Sequence, residues 1–368
     1  MEAKQFKPLP DQPAPISTIG AIAWLRNNLF SSPFNIAVTV VIVAALLAIV
    51  PDMLDWLIFS ANWSGTTQAD CVKEGACWVF ISAWSQQIFY GSYPGEEIWR
   101  VNLSLMLLAG VIAFSFILPA HLRNKVSVPA YLCLPFICLL ILDGSHIGLK
   151  EVTTDLWGGF SLNILIAAAS IIIAFPFGFL WALGRQSHMP FARSVSVTCI
   201  EFFRGTPILA LFFMGSVMLP LFFPADVSVD KLLRVWIILV LFMSAYMAEV
   251  FRSGFAAIPK GQYEAADSLG LGYWQKTLLI LFPQVIKVSM PNILATFVMV
   301  FKNTVFLLVI AVPEMLQVIM SALSNSNWLG GHAIEGYLFV AFIFWICCFS
   351  MSLLATSIEK KLDTSHKN

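Results

Sequence analysis

Long apolar runs, each near the length needed to cross a bilayer and each bounded by charge or turn residues, divide this chain from end to end. Eight can be marked, at about 34–59, 101–120, 128–143, 160–183, 207–223, 232–250, 291–312 and 337–358. A bilayer core takes about 20 helical residues to cross, and hydrocarbon offers no hydrogen-bond partner to a bare backbone, so each run must close its own backbone bonds. Period-2 alternation is absent, which favours helices over barrel strands. The expected class is therefore an all-α polytopic membrane protein of about eight transmembrane helices. The run at 128–143 is short and interrupted by Pro135, so a tilt, a kink or a merger is open there. Only 11% of the residues are charged, against about a quarter in soluble domains, which excludes a soluble enzyme. Lys plus Arg equals Asp plus Glu at 21 each, so no basic excess points to nucleic acid.

Charge placement sets the orientation, because Lys and Arg concentrate on the cytoplasmic side. With the N-terminus inside, only Lys73, Arg100, Lys150, Lys231 and Arg234 fall outside and Lys302 falls within a span, while every other Lys and Arg lies inside. Both termini are thus expected in the cytoplasm. The polar, Pro-rich start lacks the order of a cleaved signal peptide, and the first span is expected to act as an uncleaved insertion signal. The chain is expected to divide into a cytoplasmic tail (1–33), an N-terminal extension with three spans and an external loop (34–156), a transport core (157–359) and a short cytoplasmic tail (360–368). Cys71 and Cys77 share the external loop and are candidates for a disulfide in an oxidising compartment. Cys133, Cys138, Cys199, Cys347 and Cys348 lie in apolar segments as small fillers.

The inside loop from Arg252 to Lys276 is punctuated like a folded element. Pro259 and Gly261 end one helix, helix formers run from Gln262 to Leu269 with small residues at Ala265 and Ala266, and Gly270 and Gly272 permit a positive-φ reversal before a second short helix near Tyr273. The expected product is a helix-turn-helix knob presenting Glu264. Glu264-Ala265-Ala266, followed at fixed spacing by Gly270 and by Ile280-Leu281-Phe282-Pro283, resembles the EAA motif of ABC importer permeases, with Phe282 where that family has Leu. Arg204-Gly205-Thr206-Pro207, and Tyr246 through Arg252 leading to Gln262-Tyr263, resemble the polar amino acid subclass. Lys302-Asn303-Thr304 sits where that subclass has Lys-Asp-Thr-Ser, so Asn303 and Val305 depart from it. The likeness covers about residues 160–358. Trp24 to Phe30, Ala61-Asn62-Trp63, Ala69-Asp70-Cys71 and Gly75-Ala76-Cys77-Trp78 resemble the extension of the larger, M-type permeases of general L-amino-acid uptake systems, which carry three extra spans.

The resemblance implies a type I importer (MetI-like) core of five spans in a bacterial cytoplasmic membrane. It also implies an ATPase-coupling loop at Glu264, Ala265, Ala266, Gly270 and Pro283. Implied partners are an ATP-binding subunit dimer, a second homologous permease and a periplasmic amino acid binding protein, besides membrane lipid. No cofactor is expected on this chain: no glycine is followed by Lys, so no phosphate-cradling loop exists and ATP is used by a partner. The chain is thus expected to be a transporter subunit and not an enzyme. Lys302, an ionisable residue inside a span, is a candidate for the translocation pathway with Arg204 and Thr206; a structural pair or a snorkelling side chain are its alternatives. Glu201 with Arg204, and Glu249 with Arg252, are spaced to meet on a helix face. The five histidines lack metal-ligand spacing. The rival reading is an ion-coupled secondary transporter with Lys302 and Asp143 as relay; it calls for paired broken helices in an inverted repeat, which the sequence does not display.

Overall fold

The computed structural model describes residues 20–72, 74–224, 229–328 and 331–362. Among them the regular structure is helical, with only isolated β-bridges. Fifteen α-helices follow in order: α1 (Gly20–Asn28), α2 (Pro33–Leu54), α3 (Val79–Ala83), α4 (Ser85–Tyr90), α5 (Ile98–Ile117), α6 (Ala120–Asp143), α7 (Gly159–Gln186), α8 (Pro190–Gly205), α9 (Ile208–Phe213), α10 (Lys231–Ala257), α11 (Lys260–Ser268), α12 (Tyr273–Gln275), α13 (Phe282–Asn303), α14 (Met315–Leu323) and α15 (Ala333–Leu362). By contact the described residues form two units, one of 20–65 with 69–72 and 74–78 and one holding the rest.

The smaller unit is α1, α2 and a looped segment. Ser32 caps α2 by accepting from the Asn35 backbone N–H, and Pro33 occupies the first turn, where its missing N–H costs nothing. None of the 22 residues of α2 is buried. The loop closes on itself through a disulfide between Cys71 and Cys77, whose Cα atoms lie 5.6 Å apart. Backbone bonds from Asn62 N–H to the Ala76 carbonyl (2.8 Å) and from Trp78 N–H to the Asn62 carbonyl (2.9 Å) fix it further.

In the larger unit α7 and α10 form the central pair, with α13 against them. Their shared core includes Leu162, Ile166, Leu239, Met243 and Val300 toward one end and Phe179, Ala248, Phe251 and Val285 toward the other. Small residues let these helices close up: a Cβ on Gly178 would meet Met247, and one on Gly254 would meet Ser289 and Val285.

Seven helices are long and apolar enough to span a membrane, or eight if one bent pair counts as a span. That pair corrects the expected run at 207–223: α8 and the segment Ile208–Phe222 meet at 104°. The break falls at Thr206-Pro207, where Pro has no N–H to continue the ladder. The expected run at 291–312 is also too short, since the helical segment extends over Tyr273–Ile310. Lys276, Pro283 and Lys287 suggested a loop there, but a proline in a first turn is compatible with a helix. Around Pro135, by contrast, α6 is continuous to Asp143. The helices α5 and α6, expected in the N-terminal extension, lie in the larger unit with α7.

Candidate functional site

Pro259 ends α10 and starts α11, the first limb of the knob. Its inner side is fixed at several points. Ala266 is buried, at 2% exposure; the Tyr263 hydroxyl donates to the Phe255 carbonyl at 3.0 Å; Gln284 donates to the Gln262 side chain at 3.1 Å; and Lys276 pairs with Asp267. Burial pushes the Tyr263 phenol above its usual pKa, with Lys276 opposing. The outer side carries Glu264, Ala265, Leu269, Tyr273 and Trp274, all exposed. Gly270 makes the reversal at φ +70° with open space where a Cβ would stand. Gly272 does not share that role: at φ −64°, ψ 162° it is extended and precedes α12, so the second of the two expected positive-φ glycines is corrected.

Pro283 lies in the first turn of α13, exposed, beside Phe282. The Phe282 ring sits 4.4 Å from that of Phe179 and 6.1 Å from that of Phe251. The side chain that departs from the motif is therefore part of the aromatic cluster that roots the knob in α7 and α10.

Above the knob, charges from α7, α8 and α10 converge. Arg185 lies 2.8 Å from Glu249 and 2.9 Å from Glu201, Arg252 is 2.9 Å from Glu249, and Arg204 is 3.5 Å from Glu249. The expected Glu249–Arg252 pair forms. In place of the expected Glu201–Arg204 pair, Glu201 takes Arg185, and Arg204 reaches Glu249 and the face of Tyr246. Thr206 donates back to the Phe202 carbonyl at 2.8 Å, at the end of α8. Lys302 is exposed near the end of α13, and no hydrogen bond or ion pair joins it to Arg204 or Thr206 among the described residues.

At the opposite end a polar node was not foreseen from the sequence. Helix α13 gives way to a 3-10 segment (Thr304–Ile310) and to Ala311 in the left-handed region at φ 51°. The Lys231 amine donates to the Ile310 carbonyl at 3.0 Å. Glu314, 0% exposed, then caps α14 by accepting from the backbone N–H groups of Leu316 and Gln317. Asn163 of α7 donates to Glu314 at 3.2 Å and to Thr304 at 2.9 Å. Burial raises the Glu314 carboxyl to about 7, although all three donors favour its charged form. Glutamate is not among the residues that ordinarily mark a helix start, so the sequence carries no signal for this node.

The family described as "Binding-protein-dependent transport system inner membrane component" matches residues 174–364, which include the charge cluster, the knob and, of the polar node, all but Asn163. An Escherichia coli protein named an inner membrane amino-acid ABC transporter permease, YhdY, is 43% identical over 96% of both chains. The Rhodobacter capsulatus glutamate/glutamine/aspartate/asparagine transport system permease protein BztC is 34% identical over 98% of both. A crystal structure of an amino acid ABC transporter with histidines superposes at TM-score 0.50 with 25% identity, over 55% of this chain and 92% of that one. With full-length relatives and a family match across the spans that bear the knob, this chain belongs to the binding-protein-dependent transport system inner membrane components, the multi-pass permeases of such importers.

Proposed function

We propose that the chain is the permease subunit of an ABC importer for L-amino acids, driven by ATP hydrolysis on a separate subunit, with both termini in the cytoplasm. The observation that carries the coupling role is the knob: Ala266 and Tyr263 hold α11 in place while Glu264, Ala265, Leu269 and Trp274 remain exposed. Exposed apolar side chains beside a fixed charge suit docking to a protein surface. The names of the full-length relatives support amino acids as cargo. Lys302 supports a path along its face of α13, since an exposed amine on a spanning helix is costly against lipid and suits a wet route or a second permease. In this reading an ATP-binding subunit dimer, a homologous permease and a periplasmic binding protein complete the importer, and this chain binds no cofactor.

ATP binding must favour the outward-open state over the inward-open one for cargo to move, because equal affinity shifts nothing. Reconstitution in liposomes with the three partners tests the reading. Uptake should require ATP and binding protein and should survive collapse of the proton gradient. Uptake by this chain alone, driven by an ion gradient, would instead establish the secondary-transporter reading.

A further inference from the structure

Within the larger unit, α6, α7 and α10 enclose a crevice of about 290 Å³. Its wall includes Leu134, Leu139, Ile166, Ala169, Ile172 and Trp236. The lining extends from Leu134 to Asp143 on α6 and from Leu162 to Ile172 on α7. At 1.5 Å per residue each stretch is roughly 13–15 Å long, which is half of a ~30 Å hydrocarbon core, or one leaflet. Asp143, Thr154 and Asp230 lie together at one end, where α6 stops and α10 begins, and no Lys or Arg lines the crevice. Helix ends are where lipid headgroups lie. Asp143 accepts from Ser145, and Asp230 accepts from Thr154 and from the Leu233 N–H; Trp236 lines the crevice about a turn and a half into α10.

We propose that this crevice is a binding site for one phospholipid with an amine-bearing headgroup, whose acyl chain lies along α6 and α7. The length accommodates one chain of one leaflet, and hydrocarbon is the occupant that an apolar wall between spanning helices solvates best. Asp143 and Asp230 complement the ammonium of a phosphatidylethanolamine and disfavour an anionic headgroup. The Trp236 ring borders the crevice just below that end. Ala168 and Ala169 leave the room that a larger side chain would fill. The site lies away from the knob and does not depend on which cargo the importer carries.

The test uses the chain assembled with its partner subunits in nanodiscs, with a phosphatidylethanolamine bearing a mid-chain diazirine as probe. After irradiation, adducts should concentrate on peptides 134–142 and 162–172. Ala169→Phe should cut those adducts at least fivefold while labelling of α2, none of whose residues is buried, is unchanged. Ala168→Phe gives a second filled variant should the first fail to assemble. A matched phosphatidylglycerol probe should label these peptides less. Adducts no denser there than on α2, adducts indifferent to both fillings, equal labelling by the anionic probe, or a partner-subunit helix cross-linked in the crevice would each overturn the proposal.

Discussion

Arg185, in the last turn of α7, places its guanidinium 2.8 Å from the carboxylate of Glu249 on α10, and Glu249 is shared with Arg204 and Arg252. One carboxylate thus ties three arginines from α7, α8 and α10 just above the knob. Removing it leaves clustered positive charge with less compensation. Glu249→Ala should lower the melting temperature of the assembled complex by the equivalent of about 2 kcal/mol, reduced because the arginines are partly exposed. Arg252→Ala, at the most exposed of the three, should cost less. A thermal unfolding series in low and high salt checks both; equal melting temperatures for wild type and Glu249→Ala would remove the network's structural role.

Gly270 reverses the chain at φ +70° with nothing nearby, so any penalty for substitution is in the backbone alone. Gly270→Ala should destabilise the knob by roughly 1 kcal/mol, and Gly270→Asn by less. Gly272→Ala, at an extended φ, should be neutral. Hydrogen exchange of the amides in α11 measures the local effect, and equal responses at the two glycines would contradict the assigned turn.

Glu314 links stability to pH. Its folded pKa of about 7 lies above its ordinary 4.5, so between those values the folded chain keeps a proton that the unfolded chain releases. Stability should therefore fall as pH rises through that window, by up to ~1.4 kcal/mol per unit, and level off above it. In Glu314→Gln this component should vanish. Melting curves between pH 4.5 and 8 decide, and identical slopes in both proteins would show that Glu314 stays ionised throughout.

Lys302 tests the route. Because no hydrogen bond or ion pair ties it down among the described residues, Lys302→Met should leave the melting temperature and subunit assembly unchanged while lowering uptake about tenfold. Undiminished uptake in the assembled Lys302→Met complex would take Lys302 out of the pathway, and failed assembly would make it a contact with another subunit instead.

The spans and the knob were legible in the sequence because both have local signals: uninterrupted apolar runs for the first, Pro259, Gly270 and the paired alanines for the second. What escaped was set by contacts between distant segments. Helix spacing put Glu201 opposite Arg204, yet Arg185, sixteen residues away in sequence, outcompetes it. The expected run at 291–312 began too late, because the helical segment already starts at Tyr273 and passes through Pro283 and Lys287, with Phe282 packed on Phe179. Glu314 meets Asn163 across 151 residues, and its burial has no sequence counterpart.

The most direct measurement places a photocross-linking residue at Leu269, on the exposed side of the knob, in cells that produce the whole importer. Irradiation should join this chain to the ATP-binding subunit, and Glu264→Lys should reduce both that adduct and ATP-driven uptake while membrane insertion is kept. An adduct with any other protein, or full uptake in the Glu264→Lys variant, would contradict coupling through the knob.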